Sequence, residues 1–353
     1  MNNRNGALDV LRALAIIMVV NCHAVSTLIT DGTLSVLQLG GKGVDLFFVL
    51  SGWLLGSQLC IELKQTGKIE VVRFWTRRWL RTLPAYFAVL ALTLLQQLLL
   101  KPQPIFDWRY FFFLQNYPPT MPYFGVSWSL CVEEHFYLLV APCMLLGYYN
   151  RPSRWILLIL LLVPTVCRFM GWYTELIETH VRYDQCAAGV MLAVVSVFAP
   201  SLWAWVARLA WPIAGFGLAL AGINILRRMQ VLDGADFDSL VWTFIFGSMV
   251  LLAVISLKDT IWSQARWIRY LANRAYSVYL LHIEALAIVK KLPELPFPVA
   301  LALTWIISLA LSEMLYRFLE RPIMNAREWF SWSRSLRQLE PKQAPPETII
   351  SQR

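Results

Sequence analysis

The sequence predicts an all-α, polytopic integral membrane protein with about ten transmembrane helices and both termini cytoplasmic, and three observations predict it. The 353-residue chain is 58% hydrophobic and 15% charged, with a mean hydropathy of +0.54, whereas soluble domains are about a quarter charged. Its apolar residues gather into runs of about 17–22, the length that crosses a hydrocarbon core of ~30 Å. Its 16 tryptophans cluster near the ends of those runs, as interfacial anchors do. The runs lie near residues 8–29, 43–62, 83–100, 127–149, 154–173, 184–199, 210–226, 239–257, 273–291 and 299–319.

The first run is too long for a signal-peptide core, contains Arg12 and His23, and lacks a small-residue cleavage site, so it reads as a retained helix. At 100° per residue Arg12 and His23 share a face, and at 1.5 Å rise they stand ~16 Å apart. Ionisable groups inside a bilayer are costly and face a cavity or a partner. An imidazole there suits general-base work because its ordinary pKa is near neutrality; the structural alternative is a histidine hydrogen-bonded to another helix.

The second run opens with Asp45 and continues to Ser51 and Gly52, a pair that permits close helix approach. Asp45 either orients a histidine or holds a sugar hydroxyl, or simply caps the helix start. Before the third run, Arg73, Arg77 and Arg81 recur at i, i+4 and i+8, with Arg78 beside them. On a helix they form a cationic ridge. Guanidinium groups bind phosphate bidentately and aromatic neighbours stack on a planar base, which suits coenzyme A; an anchor on lipid phosphates is the alternative. The aromatic stretch Ile105–Asn116 is too short to span and belongs at the interface or dips into it. Its continuation, Trp108–Tyr123, is a candidate sugar-stacking wall.

The fourth run begins at Ser127 and Trp128 and carries Glu133, Glu134, His135 and Tyr137. Glu133 shares a face with Tyr137, while Glu134 points about 100° away and aligns with Ser127. Two carboxylates and a histidine inside an apolar run need a polar cavity. His180 and Arg182 precede the sixth run, which Asp184 opens, and the ninth carries Tyr276, Tyr279 and His282. A lone histidine on an apolar helix is more often structural than catalytic, which applies to His282. Nothing resembles a GxSxG elbow, a phosphate-binding loop or a metal-ligand cluster.

With the N-terminus cytoplasmic, the inner loops and tails hold roughly 20 Lys and Arg against roughly 9 outside. The net charge of +9 therefore reports orientation rather than nucleic-acid binding. The six cysteines have no paired spacing and read as small core residues. Residues 1–322 form one membrane domain, and 323–353 a polar cytoplasmic tail with Pro341, Pro345 and Pro346.

Taken together, the Arg12/His23 pair, GVDLFFVLSGWLLG (43–56), Arg78 and Arg81 before Pro84, SWSLCVEEHFYLL (127–139), HVRYDQCAAGVMLA (180–193), YSVYLLH (276–282) and the run Phe318–Pro322 resemble the membrane acyltransferase-3 family. The matches follow family order over about 320 residues; each is weak alone and their combination is specific. Cys131 departs from the small residue, commonly serine, expected there. The resemblance implies a ten-helix domain in a bacterial cytoplasmic (inner) membrane. It implies transfer of acyl groups, usually acetyl, from acyl-CoA to hydroxyls of surface or exported glycans, with no permanently bound cofactor. It further implies that His23 is the central catalytic residue and that Arg12, Arg78 and Arg81 bind the donor. Some members carry a C-terminal esterase-like domain, for which the residues after 322 leave no room, so the acceptors of such relatives are not carried over.

The expected site therefore has His23, Asp45, Glu133 and Glu134 as catalytic residues. Arg12, Arg73, Arg77, Arg78 and Arg81 contact the donor, and Ser127, Trp128, Tyr137 and His282 contact the substrate. The acceptor is a carbohydrate or lipid-linked glycan. His23, oriented by Asp45 or a fourth-helix glutamate, either deprotonates the acceptor hydroxyl or takes the acyl group transiently. The competing class is a proton-coupled transporter using His23 and the two glutamates.

Overall fold

The structure is a computed structural model that describes residues 5–29, 34–118, 121–150, 155–233, 238–257 and 264–330. Most of the expected tail, including its three prolines, lies outside the described residues. Twelve α-helices and no β-strand occur among them. They are α1 (Gly6–Leu28), α2 (Gly43–Thr66), α3 (Val71–Leu100), α4 (Trp128–Tyr149), α5 (Ile156–Met170), α6 (Asp184–Phe198), α7 (Pro200–Arg208), α8 (Ala210–Arg228), α9 (Ser239–Ile255), α10 (Arg266–Val289), α11 (Phe297–Leu315) and α12 (Arg321–Phe330). A π-helical turn, Tyr316–Glu320, joins α11 to α12.

Each of the ten expected runs corresponds to a helix. Among the described residues, six segments are long and apolar enough to cross a membrane: those containing α1, α2, α3, α4, α8 and α11. A seventh is the pair α6 and α7, if it counts as one span bent by 114°. Helices α5 and α9 are shorter apolar helices. Helix α10 is 24 residues long and carries Arg266, Arg269, Arg274 and Glu284. This is the architecture of a multi-pass membrane protein.

The main departure from expectation is the start of α3. Its helix begins at Val71, twelve residues before the apolar run, and passes through Pro84 without ending. Hydropathy cannot see this part, because the arginine ridge is too polar to register as a span. The ridge is therefore rigidly continuous with the membrane helix.

Close approach of α2 and α6 sets the centre of the bundle. A Cβ at Gly52 would lie 2.1 Å from the Cys186 carbonyl oxygen, and one at Gly189 would lie 2.2 Å from that of Val49. Small residues at such a contact let backbones meet, and packing then supplies the association energy. Gly189→Val should destabilise the protein by about 1–3 kcal/mol through overpacking, read as a lower Tm in detergent. Gly215→Ala, with nothing within 4 Å of its added Cβ, is the neutral control. Equal melting of the two variants would remove this contact from the account of the fold.

The aromatic segment between α3 and α4 folds onto the protein. Tyr110 is buried and stacks on Tyr123 with centroids 4.4 Å apart. Phe113 and Phe124 adopt positive φ, which is costly for bulky residues. Both rings pack on Tyr86, at 4.6 and 5.7 Å, so aromatic contact offsets the strained backbone. Trp108 and Phe112 remain exposed. The Arg109 guanidinium grips Asp107 through both carboxylate oxygens and holds that carboxyl below the usual carboxylate range.

Candidate active site

A cavity of about 310 Å³ opens between α1, α2, α3, α4, α10 and the π turn. Arg12 from α1 and Arg78 and Arg81 from α3 line it, with Glu133 of α4, Tyr276 and Tyr279 of α10, and Glu320 of the π turn. Three arginines are thus brought from two sequence regions to one concave surface. Arg12 is bridged to Asp9 at 2.9 Å. Arg81 is exposed, lines the cavity and makes no hydrogen bond or ion pair among the described residues. Arg78 is the most constrained of the three. It donates to the Tyr137 hydroxyl at 2.6 Å and to Glu133 at 3.3 Å, and its guanidinium lies 4.3 Å over the Tyr137 ring.

The adjacent glutamates separate as their helical angles require. Glu133 also accepts from the Ser51 hydroxyl at 2.7 Å, which ties α2 to α3 and α4. Glu134 turns to α3, where it accepts from Thr82 at 2.9 Å and from the Trp79 indole at 3.1 Å. Only Glu133 lines the cavity. The Tyr276 hydroxyl donates to the Thr82 carbonyl at 2.8 Å, closing the wall between α3 and α10.

The ridge divides. Arg73 turns away to Glu62 at 3.0 Å and Glu70 at 3.4 Å, and neither Arg73 nor Arg77 lines the cavity. Ser127 and Trp128 also sit off it. Ser127 is buried, donating to the Phe124 carbonyl and accepting from Gln115, while Trp128 lies under the Arg182 guanidinium at 5.1 Å.

His23 is half-buried near the end of α1, and its partner differs from expectation. The nearby imidazole is that of His282 on α10, with Nε2 of His282 3.1 Å from Nδ1 of His23 and ring centroids 4.9 Å apart. Neither Asp45 nor a fourth-helix glutamate makes this contact. Asp45 is fully buried and ion-paired with Arg182, with Lys42 at 3.8 Å. Its place in the first turn of α2 makes it a strut to the residues preceding α6. The Trp305 indole donates to Asn21 at 3.0 Å, fixing α11 against α1 two residues before His23.

Tyr279 links cavity and histidines. Its ring is 5.8 Å from that of His282, and its hydroxyl bonds Ser129 and the Val126 carbonyl at the start of α4. Along α10, Tyr276, Tyr279 and His282 step from the arginine-lined cavity toward His23 over ~9 Å.

A family model described as an acyltransferase domain, acyltransferase-3, matches residues 5–317. The chain belongs to this acyltransferase family. Among curated relatives of this acyltransferase-3 chain, "Peptidoglycan O-acetyltransferase OatA" of Listeria monocytogenes is 24% identical over 360 residues, covering 90% of this chain and 55% of that protein. "O-acetyltransferase OatA" of Staphylococcus aureus is 25% identical over 368 residues, covering 90% and 56%. "Putative O-acetyltransferase SACOL0978" of Staphylococcus aureus is 34% identical over 147 residues, covering 37% of this chain and 23% of that protein. The chain spans a little over half the length of the two OatA proteins. No solved structure matches it.

Several site residues had no role assigned from the sequence. Ser51, Thr82, Tyr276, Tyr279 and Glu320 join the site through partners on other helices. Ser51, Tyr276 and Tyr279 lay in motifs already quoted, Glu320 carried a local signal as a carboxylate closing an apolar run, and π turns recur at functional sites.

Proposed function

We propose that this chain is an integral membrane O-acyltransferase of the bacterial cytoplasmic membrane, with ten crossing helices and cytoplasmic termini. It would move an acyl group, acetyl being the first candidate, from cytoplasmic acyl-CoA to a hydroxyl of a cell-surface or exported glycan. The observation that carries this reading is one cavity lined by Arg12, Arg78 and Arg81 and by Tyr279, which packs beside the His282–His23 pair. Family membership supports acyl transfer, and the relatives' names support acetyl and a glycan.

The donor's phosphates dock on the arginines, with Arg81 available for a charge-assisted bond. The pantetheine then runs past Tyr276 and Tyr279 toward His23. Nε2 of His23 takes the proton of the acceptor hydroxyl as its oxygen bonds the acyl carbon. The C–S bond breaks, and the departing thiolate recovers the proton from Nε2. In the alternative order, Nε2 itself takes the acyl group as the thiolate leaves, then passes it to the hydroxyl, whose proton neutralises the thiolate.

The test is acetyl-CoA consumption and product mass spectrometry with purified protein in detergent, over a panel of glycan acceptors. Wild type should show acceptor-dependent transfer, and Arg81→Ala should raise the donor KM ~10-fold or more, the loss of one charged hydrogen bond. Transfer from another acyl donor with none from acetyl-CoA would overturn the donor assignment. Neither donor binding nor transfer by folded wild type would return His23 and the glutamates to a proton-transport role.

A further inference from the structure

We infer that His282 is a positioning residue for His23, a neutral hydrogen-bond acceptor that fixes its tautomer and presents Nε2 as the reactive nitrogen. The inference rests on the function proposed above and assigns a task to a histidine that sequence reasoning left as structural or substrate-binding.

Nδ1 of His282 faces two carbonyl oxygens of its own helix, Tyr279 at 2.7 Å and Val278 at 3.3 Å. A carbonyl can only accept, so the proton of neutral His282 sits on Nδ1. Its Nε2 then carries a lone pair and must accept. The atom 3.1 Å from that lone pair is Nδ1 of His23, which is also 3.0 Å from the Val19 carbonyl. Both neighbours require a proton on the same nitrogen of His23. Nε2 of His23 is therefore unprotonated in the neutral ring and has no hydrogen-bond partner among the described residues. It is free to serve as base or nucleophile.

Val19 alone would favour this tautomer, but a carbonyl one turn back along the same helix does not hold the ring against rotation. His282 supplies an acceptor from a different helix and is fully buried. When Nε2 of His23 gains a proton or an acyl group, positive charge spreads to Nδ1–H, and the Nε2 lone pair of His282 receives that strengthened hydrogen bond. His282 in turn leans on Tyr279, whose side chain lines the donor cavity. A donor seated there touches the residue whose carbonyl holds the second histidine.

Three substitutions separate this role from simple packing. His282→Phe keeps the ring volume and removes the acceptor. His282→Asn keeps a donor near the Tyr279 carbonyl but places no acceptor at Nε2. His282→Gln places an amide oxygen where Nε2 stood. In purified protein, His282→Phe and His282→Asn should lower kcat ~100-fold, the low end of general-base contributions, with donor KM within about threefold of wild type. His282→Gln should recover at least ~10-fold of that loss. His23→Ala/His282→Phe should be no slower than His23→Ala, since a residue acting through another adds nothing once that other is gone. Thermal melting in detergent checks each variant's fold, and His282→Asn stands in if the phenylalanine variant fails to fold.

Wild-type kcat in both His282→Phe and His282→Asn would overturn the inference, as would equal impairment of the Gln, Asn and Phe variants. If His23→Ala abolishes transfer while His282→Phe is normal, this inference falls and the proposed function stands. If His23→Ala retains wild-type transfer, both fall.

Discussion

His23→Ala should lower acyl transfer by ~10³-fold or more while leaving the Tm and donor binding of the purified protein near wild type. General acid–base assistance is worth ~10²–10⁴-fold, and a nucleophile would be missed at least as much. The imidazole is half-buried, and among the described residues its only cross-helix bond is to His282. Removing it leaves His282 Nε2 without a donor, a modest cost beside the loss of chemistry. The measurement is product formation with saturating donor and acceptor, alongside direct donor binding. Loss of binding together with turnover would place His23 in the donor pocket rather than at the reacting atoms. Unchanged turnover would end the mechanism.

Arg78→Ala carries the largest expected cost in stability. The ion pair Arg78–Glu133 has 13% and 12% exposed side chains. Breaking such a pair from one side costs about 3–5 kcal/mol, because the remaining charge stays buried. Ser51 would still donate to Glu133, but a neutral hydroxyl does not balance a carboxylate, and Tyr137 would lose the cation over its ring. Arg78→Leu/Glu133→Gln removes both charges and keeps an acceptor for Ser51. It should recover most of the lost Tm without recovering donor KM. Equal melting of single and double variants would mean that the pair is not what holds α3 to α4. Recovery of KM with stability would remove Arg78 from the donor site.

These two residues show what was legible in the sequence. The helices were, because each run of apolar residues reflects a local solvent preference that needs no partner. The candidate reacting residues were also visible, because a histidine or glutamate inside such a run is costly and stands out. Partners were not. Glu133 meets Ser51 across 82 positions, and His23 meets His282 across 259. Helical periodicity places a residue on a face but does not say which helix that face meets. Asp45 read as orienting a histidine, holding a sugar hydroxyl or capping its helix, yet its countercharge is Arg182. Arg73 belongs to the same ridge as Arg81 and nevertheless turns to Glu62, because the spacing that builds a ridge does not say how far along the helix the cavity extends.

The π turn between α11 and α12 has a consequence for Glu320 that is one of angular register. Along α11 the buried small residues Ala300, Thr304, Ser308 and Ser312 form the seam that faces the bundle. Continued as a plain α-helix, position 320 would stand eight residues beyond Ser312, about 80° off that seam. A π turn acts as a one-residue insertion and sets the chain back by about 100°. Glu320 then takes the direction residue 319 would otherwise hold, within about 20° of Ser312. One extra residue in the turn thus swings a carboxylate toward Arg81 and the cavity. Straightening the turn to α geometry at full length would rotate that charge off the seam, whereas deleting one residue from 316 to 319 along with it would keep the carboxylate on the seam, seven residues beyond Ser312.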